Sequence, residues 1–116
     1  MTTLGAGTVF QVKDLSQILR FYCDVLGFEE DFQFGGQYAG LHLGEAQLHP
    51  CAHTLWARPA GGGTVAIFCD EVDRYYSHLR ALGANIQREP TDEPYGMRDF
   101  VVRDPDGNLL SFGCQV

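Results

Sequence analysis

The stretch that decides the fold is residues 14–27, DLSQILRFYCDVLG, because its pattern returns at residues 70–83, DEVDRYYSHLRALG. In both segments apolar residues recur at intervals of three and four, which places them on one face of a helix. Asp14 and Asp70 suit the N-cap, where an aspartate accepts a backbone hydrogen bond. Each segment ends in a glycine, the residue that most often terminates a helix. The sequence therefore predicts two equivalent helices, one in each half of the chain.

Segments of strand composition flank both predicted helices in the same order. Residues rich in β-branched and aromatic side chains precede each helix, and three more such segments follow it, separated by glycine-containing turns. The predicted strands are residues 8–12, 29–34, 37–43 and 46–49, and then residues 64–68, 85–88, 98–103 and 108–114. Each half is thus a predicted βαβββ module. Since half of the chain is too short to bury a stable core alone, we expect the modules to share one sheet system.

Two motifs within this pattern carry a resemblance to a known family: FYCDVLGF at residues 21–28 and YGMRDFVVRDPDGNLLSF at residues 95–112. With their spacing, they resemble the vicinal oxygen chelate superfamily of glyoxalases, extradiol dioxygenases and antibiotic-resistance proteins. The resemblance implies one α+β domain over residues 1–116, with modules at about residues 4–58 and 60–116. Two βαβββ modules would form a curled mixed-sheet cup with the helices packed outside. The fold hosts both enzymes and binding proteins, so it does not decide the function.

The resemblance also implies four metal-ligand positions inside the cup, which in this chain are Gly7, His49, Thr64 and Ser111. Only His49 is a usual metal donor, whereas a catalytic metal normally needs about three protein ligands. The first strand of each module contains no His, Asp, Glu or Cys. We therefore expect no bound metal and no cofactor.

A local metal site is the alternative that the segment QLHPCAH, residues 47–53, raises. In an extended chain His49, Cys51 and His53 would point from one face. Pro50, however, is typical of a strand edge or end. We expect the strand to end there, with Cys51 and His53 in an exposed loop and His49 facing the cup.

Alternation along the strands predicts a cup lined by amides, hydroxyls, one imidazole and aromatic rings, which is typical of a small-molecule pocket. Aromatic rings at its rim can stack on a planar or cationic ligand. The candidate ligand-binding residues are Gln11, Phe32, Tyr38, Gln47, His49, Trp56, Phe68, Tyr95, Arg98 and Ser111. A structural ion pair explains Arg98 equally well. No catalytic residue is predicted, because no carboxylate is placed to orient His49 towards Ser111.

The amino-acid composition narrows the range of possible binding partners. With 15 acidic and 8 basic side chains the formal net charge is −7, which argues against a nucleic-acid partner and favours a neutral or cationic ligand. No apolar run approaches the ~20 residues of a membrane span, and the N-terminus lacks the layout of a secretory signal. We expect a cytoplasmic protein with reduced cysteines.

The favoured function is metal-independent binding and sequestration of a small aromatic or cationic molecule, as the resemblance to the bleomycin-resistance branch implies. By analogy with that branch we expect a homodimer with clefts between the chains; whether the first strand is exchanged stays open. Two alternatives remain: a divergent metal-dependent enzyme of the glyoxalase or dioxygenase type, and a scaffold whose cup binds nothing.

Overall fold

The computed structural model describes residues 1–53 and 58–116, which fold as βαβββ twice over. The helical segments are α1 (Leu15–Leu19), which continues in π-helical geometry over Arg20–Val25, and α2 (Val72–Ala81). The strands are β1 (Thr8–Gln11), β2 (Glu29–Phe34), β3 (Tyr38–Leu43), β4 (Ala46–Cys51), β5 (Thr64–Phe68), β6 (Asn85–Asp92), β7 (Met97–Arg103) and β8 (Leu109–Gln115). No helix in these two ranges is long and apolar enough to cross a bilayer.

The strands form two four-stranded mixed sheets of matching topology. The N-terminal sheet has the order β1-β4-β3-β2 and the C-terminal sheet has the order β5-β8-β7-β6. In each sheet the first and last strands of the module pair in parallel, and the other pairs are antiparallel. The α+β fold of two βαβββ modules is confirmed. Within the described residues the two sheets are separate, however, so the modules are joined through a common core and not through one sheet.

The two helices differ from the prediction at specific points. Asp14 caps α1 as expected, since its carboxylate accepts a hydrogen bond from the Gln17 amide at 3.2 Å. The widening to π-helical geometry after α1 was not predicted by the apolar spacing. The expected cap at Asp70 is wrong: Glu71 is the N-cap of α2, in the left-handed backbone region at φ 47°, and its side chain makes no capping hydrogen bond. This backbone turn delays the helix by one residue.

One hydrophobic core lies between the helices and the sheets and includes residues of both modules. Its strand residues are the alternating set that the sequence predicts to lie beneath the helices. They include Phe10, Val12, Leu48, Ile67, Leu110 and Phe112, all buried. Burial of a side chain of this size contributes about 1.5–3 kcal/mol, so this alternation fixes which face of each sheet is covered.

A buried hydrogen-bond network connects the first helical region to the turn between β7 and β8. The Tyr22 hydroxyl donates to Oδ2 of Asp104 at 2.9 Å, and Nδ2 of Asn108 donates to the same oxygen at 2.9 Å. The other Asp104 oxygen accepts the backbone N–H groups of Asp106 and Asn108, each at 2.9 Å. Burial and the neighbouring Asp104 carboxylate raise the pKa of Tyr22, which keeps the phenol a donor. The network therefore links the two modules.

Strand β4 runs farther than the sequence predicts. It continues through Pro50, which pairs with Phe10 of β1, to Cys51. The backbone ladder continues past the proline because the Val12 amide donates to the Cys51 carbonyl at 2.9 Å. Cys51 is consequently buried, so its expected place in an exposed loop is wrong, whereas His53 is exposed as expected. The two side chains therefore differ in burial, and the Cys51 thiol donates to the backbone carbonyl of His53 at 3.3 Å.

Candidate ligand-binding site

Each sheet has one face covered by a helix and the core. Its opposite face, termed the open face, is covered by no helix of the described residues. Since Phe10, Leu48 and Phe112 face the core, their neighbours along each strand face the opposite way. The candidates that this alternation places on the open face of the N-terminal sheet are Gln11, Phe32, Tyr38, Gln47 and His49. Phe68 and Ser111 lie on the open face of the C-terminal sheet. Trp56 lies outside the described residues.

Three of these side chains form an aromatic cluster, Phe32–Tyr38–His49. The rings of Phe32 and Tyr38 are nearly parallel, at 19°, with centroids 6.2 Å apart. The imidazole of His49 meets both rings edge-on, with centroid separations of 5.5 Å. Phe32 remains 46% exposed, so the cluster presents an aromatic surface to solvent. The structure thus brings together side chains from the three consecutive strands β2, β3 and β4.

Gly40 allows the Phe32 ring to lie against the sheet. The two residues are opposite each other on β2 and β3, and a Cβ atom at position 40 would overlap the ring. Sequence reasoning missed this residue. The available signal was a glycine inside a predicted strand, which often marks a place where another group approaches the backbone closely.

The Tyr38 hydroxyl lies 2.8 Å from Nδ1 of His49. Burial raises the pKa of Tyr38, so its phenol is protonated at neutral pH. When that phenol donates to Nδ1, the neutral imidazole carries its own proton on Nε2 and offers a hydrogen-bond donor there. The Nε2 atom lies beside the backbone of Gly7, where a Cβ would be 3.6 Å away.

The side chains around His49 do not fit the catalytic metal that the resemblance to the superfamily implies. Gly7 faces the His49 imidazole but has no side chain, while Thr64 and Ser111 supply only hydroxyls. Nδ1 of His49 is engaged by Tyr38. Across residues 1–53 and 58–116, no group of three or more His, Cys, Asp or Glu side chains is arranged to hold a metal ion. One imidazole is fewer donors than a catalytic metal normally requires.

A second histidine, which sequence reasoning missed, lies on the same open face. His42 is opposite Gln47 in the β3–β4 pair, and its Nδ1 lies 2.7 Å from Oδ1 of Asp31. Its Nε2 lies 3.1 Å from Oε2 of Glu29. Both ring nitrogens are therefore occupied by carboxylates, and this edge of the sheet carries two acidic side chains for one imidazole.

The two glutamines contribute amide groups beside the aromatic cluster. Gln11 donates from Nε2 to the His53 carbonyl at 2.8 Å, while its Oε1 is buried and meets no hydrogen-bond donor in the described part of the chain. A buried acceptor of this kind is normally satisfied by water or a ligand. Gln47 is exposed and lies beside Gly7. Both amides can therefore take part in orienting a bound molecule.

The open face of the C-terminal sheet combines exposed aromatic rings with a charged cluster. Phe68 is 79% and Tyr95 is 68% exposed. The Tyr95 hydroxyl donates to Oδ2 of Asp99 at 2.8 Å, and this hydrogen bond raises the pKa of Tyr95. Arg88 bonds to both Asp99 and Glu93. Two carboxylates thus share one guanidinium, which leaves an excess of negative charge on this face.

Arg98 is separated from the other candidates. It lies on the helix side of β7, where its guanidinium donates to Asp73 of α2 at 2.9 Å and to Asp92 at 3.0 Å. The hydrogen bond to Asp73 and that to Asp92 raise the pKa of Arg98. The structural ion pair therefore accounts for Arg98. By the same alternation, Asp99 is the residue of this motif that faces the open side.

Ser111 and His49 do not form a nucleophile–base pair. Ser111 is partly buried in β8, opposite Ala66 and Val101. Among the described residues, the hydrogen-bond partner of His49 is Tyr38 and not Ser111. The arrangement that acyl-transfer catalysis requires, with a base between a nucleophile and an orienting carboxylate, is therefore not built from these two residues.

The repeated βαβββ modules, each with an open face, define a class of protein. Comparison with known families identifies this class. The chain matches the model of the Glyoxalase/Bleomycin resistance protein/Dioxygenase superfamily over residues 6–112. It belongs to this superfamily, as the sequence motifs predicted.

Similar proteins within the superfamily include binding proteins and an enzyme. The bleomycin resistance protein of Geobacillus stearothermophilus is 30% identical over 122 aligned residues, covering 90% of this chain and 92% of that protein. The bleomycin-binding protein of Streptomyces verticillus, solved with copper(II)-bleomycin, has a TM-score of 0.77 at 28% identity, covering 97% of this chain and 96% of that one. Lactoylglutathione lyase from Agrobacterium tumefaciens has a TM-score of 0.81 at 24% identity, covering 98% and 94%. This last likeness shows the fold alone.

Proposed function

We propose that the chain binds a small aromatic or cationic molecule at its open faces, without a metal ion and without changing the molecule chemically. The observation that carries this proposal is the cluster of Phe32, Tyr38 and His49, an exposed aromatic surface whose imidazole is bonded to a phenol. The similarity to a bleomycin resistance protein and to a bleomycin-binding protein supports binding as the activity.

The exposed rings support an aromatic ligand. The Phe32 ring rests on Gly40 on one side and is 46% exposed, so a planar group can stack on it. Phe34, two residues farther along β2, is 79% exposed. Aromatic pairs contribute about 0.5–1.5 kcal/mol beyond the area they bury. A planar ligand would therefore gain both hydrophobic burial and stacking at this surface.

The charges support a cationic ligand. Glu29 and Asp31 flank one open face and Asp99 and Glu93 the other, and each pair of carboxylates is shared by a single basic side chain. The formal net charge of −7 adds a general attraction for cations. Exposed aromatic rings also attract cations through their π faces.

The hydrogen bonds favour binding over catalysis. A general base is usually oriented by a carboxylate, as in the serine hydrolase triad. His49 has a phenol in that place, and the open-face carboxylates Asp99 and Glu93 are already bonded to Arg88. The site thus offers recognition groups in place of an activated acid or base.

We further propose a homodimer in which the open faces of two chains enclose the ligand. Small-molecule sites bury ~70–90% of a ligand's surface, and a ligand on one open face alone would stay largely exposed. Phe34, Phe68 and Tyr95 are large exposed rings on these faces that a second chain would cover. Analytical ultracentrifugation tests this proposal, since a monomer at micromolar concentration would contradict it.

The binding proposal is tested by calorimetric titration with metal-free bleomycin. We expect saturable binding by the natural chain, a loss of about tenfold or more in affinity for Phe32→Ala, and no change for Leu82→Ala. Leu82 is a fair control because it is 48% exposed, close to the 46% of Phe32, and lies at the end of α2. Equal affinity of the two variants would show that Phe32 is not part of the binding site.

The alternative is a metal-dependent enzyme, which the fold allows because a lactoylglutathione lyase shares it. Elemental analysis of untagged protein separates the two hypotheses. A stoichiometric zinc, nickel, manganese or iron that is lost in His49→Ala would overturn the metal-independent proposal.

A further inference from the structure

Cys69 and Cys114 lie side by side at the end of the parallel β5–β8 ladder. Phe68 pairs with Gly113, and the Cys69 amide extends the ladder by donating to the Gly113 carbonyl at 2.8 Å. In the parallel hydrogen-bond pattern this contact makes Cys114 the neighbour of Cys69. Adjacent strands lie about 4.7–4.9 Å apart, which falls within the Cα separation of about 4.4–6.8 Å that a disulfide requires.

The two thiols also point to the same face. Ile67 and Phe112, which precede the cysteines by two residues on their strands, are both buried against the core. By alternation Cys69 and Cys114 share this helix-covered face, and both pack at the margin of the core. Side chains on adjacent strands that share a face and a register position are direct neighbours.

A small oxidant can reach the pair. Both cysteines are free and only partly buried. Cys69 borders a groove of about 830 Å³ whose walls include Phe68, Tyr75 and Leu43. The groove leads from solvent to Cys69 at the end of β5, so an oxidant can react with this thiol first, and its neighbour Cys114 can then attack the mixed disulfide.

We propose that Cys69 and Cys114 form a dithiol site that closes to an intramolecular disulfide when it meets a disulfide oxidant such as glutathione disulfide. One cysteine thiolate attacks a sulfur of the oxidant and expels a thiolate. The second cysteine then attacks the mixed disulfide and expels the other half. The protein loses two protons and two electrons, and the oxidant leaves as two thiols.

The cross-link would fasten an edge strand to the last strand of the chain. β5 is at the edge of the C-terminal sheet, and β8 is its neighbour. The closed loop would contain almost the whole C-terminal module, and cross-linking a long loop stabilises a protein mainly by restricting its unfolded state. β5 also carries Phe68 on the open face, so the disulfide would restrict the movement of the strand that carries this ring. The inference does not depend on what the open faces bind.

The test is oxidation of the natural full-length chain with glutathione disulfide at pH 8.5, a pH chosen because burial raises the pKa of the Cys69 thiol. After alkylation in denaturant, we expect two of the four cysteines to be protected. We also expect an unalkylated oxidised mass lower by about 2 Da, without dimer formation, because two hydrogens leave. Tm should rise by at least about 5 °C.

Single-residue variants identify which two cysteines form the disulfide. Cys69→Ser and Cys114→Ser should each abolish the loss of about 2 Da and the rise in Tm, because a single remaining thiol can form only a mixed disulfide with glutathione. Cys23→Ser should retain both. Cys23 is the matched control because it is also free and partly buried. The proposal is overturned if the natural chain keeps four alkylatable thiols, if it accumulates a stable glutathione adduct, or if the loss of about 2 Da persists in Cys69→Ser.

Discussion

The hydroxyl of Tyr38 and Nδ1 of His49 lie 2.8 Å apart, so the imidazole at the centre of the aromatic cluster is bonded to a phenol. This contact ties β3 to β4 and sets the His49 ring edge-on to Phe32 of β2. It also occupies one of the two nitrogens through which an imidazole can bind a metal. The geometry of the aromatic cluster thus depends on this pair of residues.

Replacing Tyr38 with Phe keeps the ring and removes the hydroxyl. A hydrogen bond of this kind contributes about 0.5–1.5 kcal/mol net to the folded chain. Because its loss releases His49 from its position, we expect the affinity for bleomycin, measured by calorimetry, to fall by at most that amount, up to about 12-fold. Tyr76→Phe is the control, because its hydroxyl lies on α2, within 3.5 Å of Arg80, away from the open face. Indistinguishable affinities of the two variants would contradict a role for the Tyr38–His49 bond.

Gly40→Ala should disturb the aromatic surface without unfolding the protein. The new Cβ would overlap the Phe32 ring, which is half exposed and can swing away. We expect bleomycin affinity to fall about tenfold, while the free energy of unfolding changes by less than about 1.5 kcal/mol. Gly62→Ala is the control, since among residues 1–53 and 58–116 a Cβ there meets only the Pro59 carbonyl oxygen, at 3.9 Å. Unchanged binding by Gly40→Ala would mean that the ligand does not rest on Phe32.

Tyr22→Phe tests the link between the modules. The change removes the buried donor to Asp104 and leaves a carboxylate with one hydrogen bond fewer. Hydrogen bonds to charged groups contribute about 1.5–3 kcal/mol, so urea denaturation should show a loss of stability of that size. Tyr76→Phe again serves as the control. A loss below about 0.5 kcal/mol would show that the network is dispensable.

The ion pair of Asp73 and Arg98 predicts a specific response to acid. The hydrogen bond from Arg98 lowers the pKa of Asp73 in the folded chain. A carboxyl group with a lowered folded-state pKa stabilises the protein above its unfolded pKa, near 3.9, and this contribution is lost as the pH falls through the folded value. Between pH 5 and pH 2.5, Tm should therefore fall less steeply for Asp73→Asn than for the natural chain.

The control for this acid titration is Asp24→Asn, an exposed acidic residue outside the described ion pairs. It should keep the acid slope of the natural chain. If Asp73→Asn shows that same slope, Asp73 is not the titrating group. Both variants should bind bleomycin as the natural chain does, because Arg98 faces α2.

The fold was predictable because its signals are local and repeated. The apolar stripes, the cap at Asp14 and the alternation around Phe10 and Phe112 each follow from short-range sequence patterns. The misplaced helix start at Asp70 came from a left-handed backbone turn at Glu71, a residue type that rarely adopts it. The proline predicts the end of β4, whereas the pairing of its neighbours with β1 keeps the strand intact to Cys51.

The site was predictable only in part, since it depends on register between strands. His49 could be placed by alternation within one strand, but its partner Tyr38 is fixed by the pairing of β3 with β4. The same holds for Gly40 beneath Phe32, which requires the β2–β3 register. Arg98 was assigned to the site from its motif, and only the contact with Asp73 on α2 shows which way it faces.

Calorimetric titration of chelator-treated protein with metal-free bleomycin and a panel of planar aromatic cations tests the central claim most directly. We predict saturable binding of at least one of these molecules, with the compound recovered unchanged. The affinity should be the same after the protein has been incubated with zinc, nickel, manganese or iron and then freed of unbound metal, which is necessary because bleomycin itself binds metal, as in the copper(II)-bleomycin complex of a similar protein. No binding of any of the titrated molecules, or binding and turnover that appear only with added metal and vanish in His49→Ala, would contradict the account.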